Sequence, residues 1–196
     1  MTWLFVLLAC AEPTPPPTLT PPPAVTPPPV AADAGPSLYE LPVRLTAQDG
    51  RELGPDLWRG HPVMVSMFYA NCRSACPLLM SKISSLEEEL SPEQREEMRV
   101  LLVSFDAKND SVEALASTAS MHQVDTRRWA LARTDEVRAF AAALGIRYSP
   151  TQDGGFSHTS PILLLDGEGH VVARLEQLGD DPALFLDAAR RLASPR

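Results

Sequence analysis

The sequence predicts an α/β sandwich: a mixed central sheet flanked by helices, with a disordered Pro-rich stalk ahead of it. Three observations lead there. Apolar, β-branched runs of strand length, Val63 to Phe68 and Val100 to Phe105, alternate with stretches whose apolar residues recur at helical spacing. Two further strand-like runs, Ile162 to Leu165 and Val171 to Leu175, are separated by Asp166-Gly167-Glu168-Gly169 and read as an antiparallel hairpin. The segment before about residue 37 carries a density of prolines that no packed core accommodates.

Taken in order, the folded domain is expected to start near Leu38. Leu41 to Leu45 suits a short strand, Gln48-Asp49-Gly50-Arg51 a turn, and Asp56 to Pro62 a loop leading into the central strand at Val63. Leu79, Ile83, Leu86 and Leu90 mark the following helix. Ser91-Pro92-Glu93-Gln94 then carries the cap, the first-turn proline and the third-position Gln of a new helix start. Val100 to Phe105 is a second buried strand, ending at Asp106. Val112, Leu115, Ala116 and Ala119 make a helical stripe, Trp129-Ala130-Leu131-Ala132 a short strand, and Val137, Phe140, Ala141 and Leu144 a stripe that stops at Gly145. After the hairpin, Asp181-Pro182 opens a last helix through Phe185, Ala189 and Leu192. The order β, β, α, β, α, β, α, β, β, α, alternating and closed by an antiparallel hairpin and a helix, is what a thioredoxin-like sandwich requires.

A chain of 196 residues is long enough for one domain with its own core. Its 44% hydrophobic and 21% charged residues are ordinary for a soluble globular protein, and a net charge of -8 argues against a nucleic-acid or anionic-membrane surface. A protein or metal partner fits that balance better.

Residues 1–10, ending at Cys10, form an apolar run too short to span a bilayer but of the size of a signal-peptide core. Leu7-Leu8-Ala9-Cys10 resembles the bacterial lipobox, whose cysteine is lipidated and becomes the first residue of the mature protein, although no Lys or Arg precedes the run. Residues 11–37 include Pro15-Pro16-Pro17, Pro21-Pro22-Pro23 and Pro27-Pro28-Pro29. Such a segment should be extended and polyproline-like, reaching roughly 3 Å per residue. The expectation is an exported lipoprotein facing the periplasm or cell exterior, anchored to a membrane through a lipid on Cys10, with a domain at 38–196 held off the membrane by a linker.

The chemistry gathers in Tyr69-Ala70-Asn71-Cys72-Arg73-Ser74-Ala75-Cys76-Pro77, at a strand-to-helix turn. Unpaired amide N–H groups at a helix start stabilise a thiolate, so at least one cysteine should ionise more readily than a free one. Residues four apart share one side of a helical turn, where two sulfurs can close a disulfide or hold one soft metal ion. The spacing does not choose between them. His61, His122 and His170 sit in loops or at a helix end and read as solvated. Met67, Phe68 and Tyr69 read as core at a strand end, and Glu87-Glu88-Glu89 as a wet helix face.

Several of these pieces form an ordered set: Phe68-Tyr69 with Cys72-x-x-x-Cys76-Pro77, then Ser104-Phe105-Asp106 with Asp110 shortly after. Trp129 and a helix ending in Gly145 follow, then Ser157-His158-Thr159 before the hairpin strand and Asp166-Gly167. In that order they resemble the Sco/SenC family, the copper chaperones of cytochrome c oxidase assembly, over residues from about 40 to 192.

That resemblance implies a mononuclear copper site made by Cys72, Cys76 and His158. Two thiolates suit Cu(I), and an imidazole lets the same site accept Cu(II). It implies delivery of copper to the copper-carrying subunit of a respiratory cytochrome c oxidase, with other periplasmic copper or thiol proteins as further candidate partners. Asp106 matches the acidic residue of the family's Ser-x-Asp-Pro motif, near the site as a tuning group or partner contact, but Ala107 stands where the proline would be. Oxidation to a Cys72–Cys76 disulfide would abolish metal binding. The competing reading is a membrane-tethered thiol-disulfide oxidoreductase acting on partner cysteines, with Cys72 as nucleophile and Cys76 as resolving thiol. Three residues between the cysteines, where thioredoxin-type reductants have two, disfavour a general reductase. A peroxide-reducing enzyme needs a Thr or Ser and an Arg around one cysteine, which Asn71 and Arg73 do not supply.

Overall fold

The computed structural model describes residues 35–72, 75–152 and 155–194. The apolar run ending at Cys10 and the Pro-rich segment as far as residue 34 lie outside them.

The domain opens with a 3-10 turn, Leu38–Glu40, whose Ser37 side chain accepts the Tyr39 N–H, and with the antiparallel pair β1 (Leu45–Ala47) and β2 (Glu52–Leu53). The strand expected at Leu41 to Leu45 is therefore displaced toward the C-terminus. Pro42 has no N–H to give a ladder, and the chain enters the sheet only after it.

β3 (Val63–Phe68) follows, buried at all six positions. Then come α1 (Ala75–Glu88) and α2 (Pro92–Glu97), and in α2 the anticipated cap is present as a reciprocal box: Ser91 Oγ accepts the Gln94 N–H and Gln94 Oε1 accepts the Ser91 N–H. β4 (Arg99–Ser104) lies parallel to β3, and after α3 (Val112–Met121) β5 (Trp129–Arg133) lies parallel to β4. α4 (Val137–Ala143) stops at Gly145, whose φ of +63° allows its N–H to reach the Ala142 carbonyl and that of Ile146 the Ala141 carbonyl. The chain ends with β6 (Tyr148–Pro150), β7 (Phe156–His158), β8 (Ile162–Leu165), β9 (Val171–Leu175) and α5 (Ala183–Leu192).

Among the described residues, seven strands form one mixed sheet in the order β2-β1-β5-β4-β3-β8-β9, while β6 and β7 pair only with each other. Side chains alternate across the sheet: Met64 and Phe68 face a core shared with α1, α3 and α5, and Val65 and Met67 face one shared with α4 and the 3-10 turn. Strands covered on both faces are apolar almost throughout, which is why β3, β4 and β8 read so plainly as strands.

Glu87 corrects the reading of Glu87-Glu88-Glu89 as a wet face. It is buried, paired with Arg128 at 2.5 Å, and its other oxygen accepts the Trp129 indole N–H at 3.0 Å. Its neighbours, Glu88 at the end of α1 and Glu89 just after it, are not buried.

Candidate metal centre

β3 and β4 run in parallel and end together, and their carboxyl ends carry the site, as is usual for ligand positions in α/β sheets. Phe105 is tied back to β3 by its N–H, which donates to the Phe68 carbonyl at 2.8 Å. Beyond Phe68 the chain turns tightly, with the Cys72 N–H donating to the Tyr69 carbonyl at 3.2 Å.

Cys76 lies in the first turn of α1, but Cys72 precedes the helix, so the two are not stacked on one helical face as their spacing suggested. They meet differently: the Cys76 backbone N–H donates to Cys72 Sγ at 3.3 Å, aiming one helix-terminal amide at the first sulfur. Both cysteines are thiols and both are buried, at 9% and 4% exposure, at the rim of the core under α1.

Burial pushes the Cys76 thiol far above its usual range. The neighbouring Cys72 and Asp110 raise it further, and a hydrogen bond from the Tyr69 backbone works in the opposite direction. Easier ionisation at the helix start therefore does not extend to Cys76, where loss of solvent outweighs the helix amides. A cation arriving beside Cys72 would supply the positive charge that a buried Cys76 thiolate needs.

Two residues given no site role from the sequence complete the surroundings. Tyr69 stands edge-on to Phe156 at 5.2 Å and to His158 at 6.2 Å, and its phenol is pushed up chiefly by burial and then by the neighbouring Cys72. Asp110, 2% exposed, accepts the Ala70 N–H at 2.8 Å and the Ser104 hydroxyl at 2.5 Å, and burial raises its carboxyl above the normal range. Asp106 lies in the turn after β4. Its carboxylate takes both contacts from the Asn109 amide, at 2.9 and 2.8 Å, and its carbonyl accepts the N–H groups of Asn109 and Asp110, so it shapes the turn after β4. Of the two acids, Asp110 is the one that grips the cysteine loop.

His158 ends β7. Its Nδ1 lies 3.1 Å from the Thr159 carbonyl and 3.0 Å from Ser160 Oγ, so a proton on Nδ1 has an acceptor and Nε2 is the nitrogen suited to a metal. The ring packs on Phe105 at 4.7 Å and stands edge-on to Tyr69 at 6.2 Å. Among the described residues, no three His, Cys, Asp or Glu side chains are close enough together to hold one metal ion. The structure thus brings Cys72 and Cys76 together and sets His158 edge-on to Tyr69, whose carbonyl accepts the Cys72 N–H.

The SCO1/SenC family profile matches residues 31–193. This chain belongs to the SCO1/SenC family. The SCO1 protein homolog of Bacillus subtilis (strain 168) is 23% identical over 143 residues, which cover 70% of this chain and 74% of that protein. The crystal structure of a SCO1/SenC family lipoprotein from Bacillus anthracis str. Ames superposes with a TM-score of 0.70 at 20% identity, covering 80% of this chain and 96% of the other. For Bradyrhizobium japonicum ScoI with copper bound the TM-score is 0.62 at 20% identity, covering 76% and 96%. The mixed sheet and its helices are therefore the thioredoxin-like Sco fold. In this SCO1/SenC domain the cysteine turn, Asp110 and the strand carrying His158 are joined by the contacts of Tyr69, Ala70 and Phe105 described above, whereas Cys10 lies outside the described residues.

Proposed function

We propose that this SCO1/SenC protein is a copper metallochaperone: Cys72, Cys76 and His158 take up copper outside the cytoplasm and pass it to the copper-carrying subunit of a cytochrome c oxidase during its assembly. The observation that carries this reading is a buried thiol pair whose second member ionises only with difficulty, with a histidine whose Nδ1 is already engaged standing edge-on to Tyr69 of the same cysteine turn. Two thiolates and an imidazole form a donor set that fits Cu(I) and admits Cu(II). The copper-bound ScoI of the same fold supports the choice of metal.

Uptake requires both thiols to lose their protons, so binding weakens as pH falls. The β6–β7 hairpin makes no ladder with the main sheet, so it can shift toward the sulfurs without breaking strand pairing there. Release to partner cysteines proceeds by stepwise ligand exchange. Residues 1–10 would supply the lipid anchor at Cys10, as in the Bacillus anthracis lipoprotein, and residues 11–37 the tether that lets the domain search for a membrane-bound acceptor. Among the described residues no helix is long and apolar enough to cross a membrane.

The test is titration of the reduced protein with Cu(I) and with Cu(II), repeated on His158→Ala. Removing the imidazole should weaken Cu(II) binding by more than about tenfold. If copper affinity is untouched in His158→Ala while turnover on a disulfide substrate persists, the thiol-disulfide oxidoreductase reading replaces this one.

A further inference from the structure

Phe68 and Ser104 are the last opposed pair of the parallel β3–β4 ladder, and beyond them both chains leave the sheet at the same end. One enters the cysteine turn and the other the turn that precedes α3. Asp110 links the two. Its place is set on the β4 side: its N–H donates to the Asp106 carbonyl at 2.9 Å, and the next residue, Ser111, caps α3 by accepting the Ala114 N–H at 3.2 Å. From that footing one buried carboxylate oxygen, Oδ2, accepts the Ala70 N–H at 2.8 Å and the Ser104 hydroxyl at 2.5 Å, while Ser104 Oγ accepts the Asp106 N–H at 2.9 Å. A polar brace therefore runs from the end of β4 to the backbone two residues ahead of Cys72. Within the cysteine turn, the bonds from the Cys72 N–H to the Tyr69 carbonyl and from the Cys76 N–H to Cys72 Sγ close the turn on itself. The bond from Ala70 ties it to the neighbouring strand instead. A buried carboxylate is costly unless donors take up its oxygens, and here the two donors come from the two turns it joins.

We propose that Asp110 is a positioning residue for metal capture: by fixing Ala70 it holds the cysteine turn so that Cys72 and Cys76 converge before a metal arrives. This rests on the reading of Cys72 and Cys76 as copper ligands. A ligand pair is only as well placed as the contacts behind it, and a cation that meets two sulfurs already in position loses less of its binding free energy to ordering them. The influence of Asp110 falls on the sulfurs, which serve Cu(I) and Cu(II) alike, whereas that of His158 falls on Cu(II). What the turn needs from residue 110 is an acceptor oxygen at that point, so an amide of the same shape can stand in and a methyl group cannot.

The experiment uses the full-length reduced protein as wild type, Asp110→Ala, Asp110→Asn, Ser104→Ala, Cys72→Ser and Glu87→Ala. Cu(I) and Cu(II) affinities are measured by competition with chelators, and the thiolate-to-Cu(II) absorption is recorded as a report on how the sulfurs meet the metal. Asp110→Ala should weaken both oxidation states about tenfold and shift that absorption, and Asp110→Asn should recover binding to within about threefold of wild type. Glu87→Ala, which loses stability at the opposite end of α1 from Cys76, should bind copper as the wild type does. Ser104→Ala leaves Oδ2 with the Ala70 N–H alone and should weaken both states about two- to threefold; it decides the matter if Asp110→Ala does not fold. A loss in Asp110→Asn as large as in Asp110→Ala, a loss confined to Cu(II), or an equal loss in Glu87→Ala would overturn the proposal. If Cys72→Ser weakens binding while Asp110→Ala, or Ser104→Ala in its stead, does not, the proposal alone fails. If Cys72→Ser changes nothing, the ligand assignment fails and the proposal falls with it.

Discussion

At the scale of single residues, the site is a contest between solvation and charge. Cys76 is held as a thiol because its sulfur lies in the core, with Cys72 and Asp110 nearby adding to the cost of a second negative charge. The sign of the pH dependence follows. An unfolded thiol ionises near pH 8.5 and the folded Cys76 higher, so its contribution to stability is complete below the unfolded value and is lost as pH rises above it. Urea denaturation of the reduced protein between about pH 8 and 10 should show that decline, and Cys76→Ala should flatten it. An equally steep decline in Cys76→Ala would place its origin elsewhere. Asp110 escaped a site role because a carboxylate six residues past a strand end and just before a helix reads as an ordinary turn acid. Its hold on Ala70 and Ser104 is set by tertiary packing. Tyr69 read as core for a similar reason: its ring is packed, and only the fold shows that it packs against Phe156 and His158.

At the scale of elements, legibility followed length. β3, β4, β5, β8, β9 and the helices show either an apolar run or a helical stripe long enough to carry a period, and the cap of α2 is written out in Ser91 and Gln94. β2 has two residues and β6 and β7 three each, too few for alternation to appear, so the hairpin that presents His158 read as a loop. The burial of Glu87 was illegible in another way. Its cation, Arg128, comes from the turn just before β5, 41 residues away, and three consecutive glutamates look alike until one of them finds it. Glu87→Ala leaves the Arg128 guanidinium, 10% exposed, and the Trp129 N–H without that acceptor, and should cost about 3 kcal/mol of unfolding free energy in urea titration. A loss below about 1 kcal/mol would mean that Asp125 and the Arg95 carbonyl, which also contact Arg128, compensate.

At the scale of the whole molecule, the cysteine turn and the hairpin carrying His158, 82 residues after Cys76, are brought to one place, the carboxyl ends of β3 and β4, where Tyr69 and Phe105 both contact rings of the β6–β7 hairpin. The family resemblance led to the expectation that His158 joins Cys72 and Cys76; in the fold β8 pairs with β3, and the segment before it brings His158 to Phe105 and Tyr69. The resemblance did not foretell that His158 packs on Phe105 and stands edge-on to Tyr69, nor that the three candidate ligands do not cluster in this structure. The most direct test of the account is X-ray absorption spectroscopy of the full-length protein loaded with one equivalent of Cu(II). The account predicts a copper shell of two sulfurs and an imidazole nitrogen, with the imidazole scattering lost in His158→Ala. A spectrum without imidazole in the wild type, or one unchanged by that substitution, would contradict it.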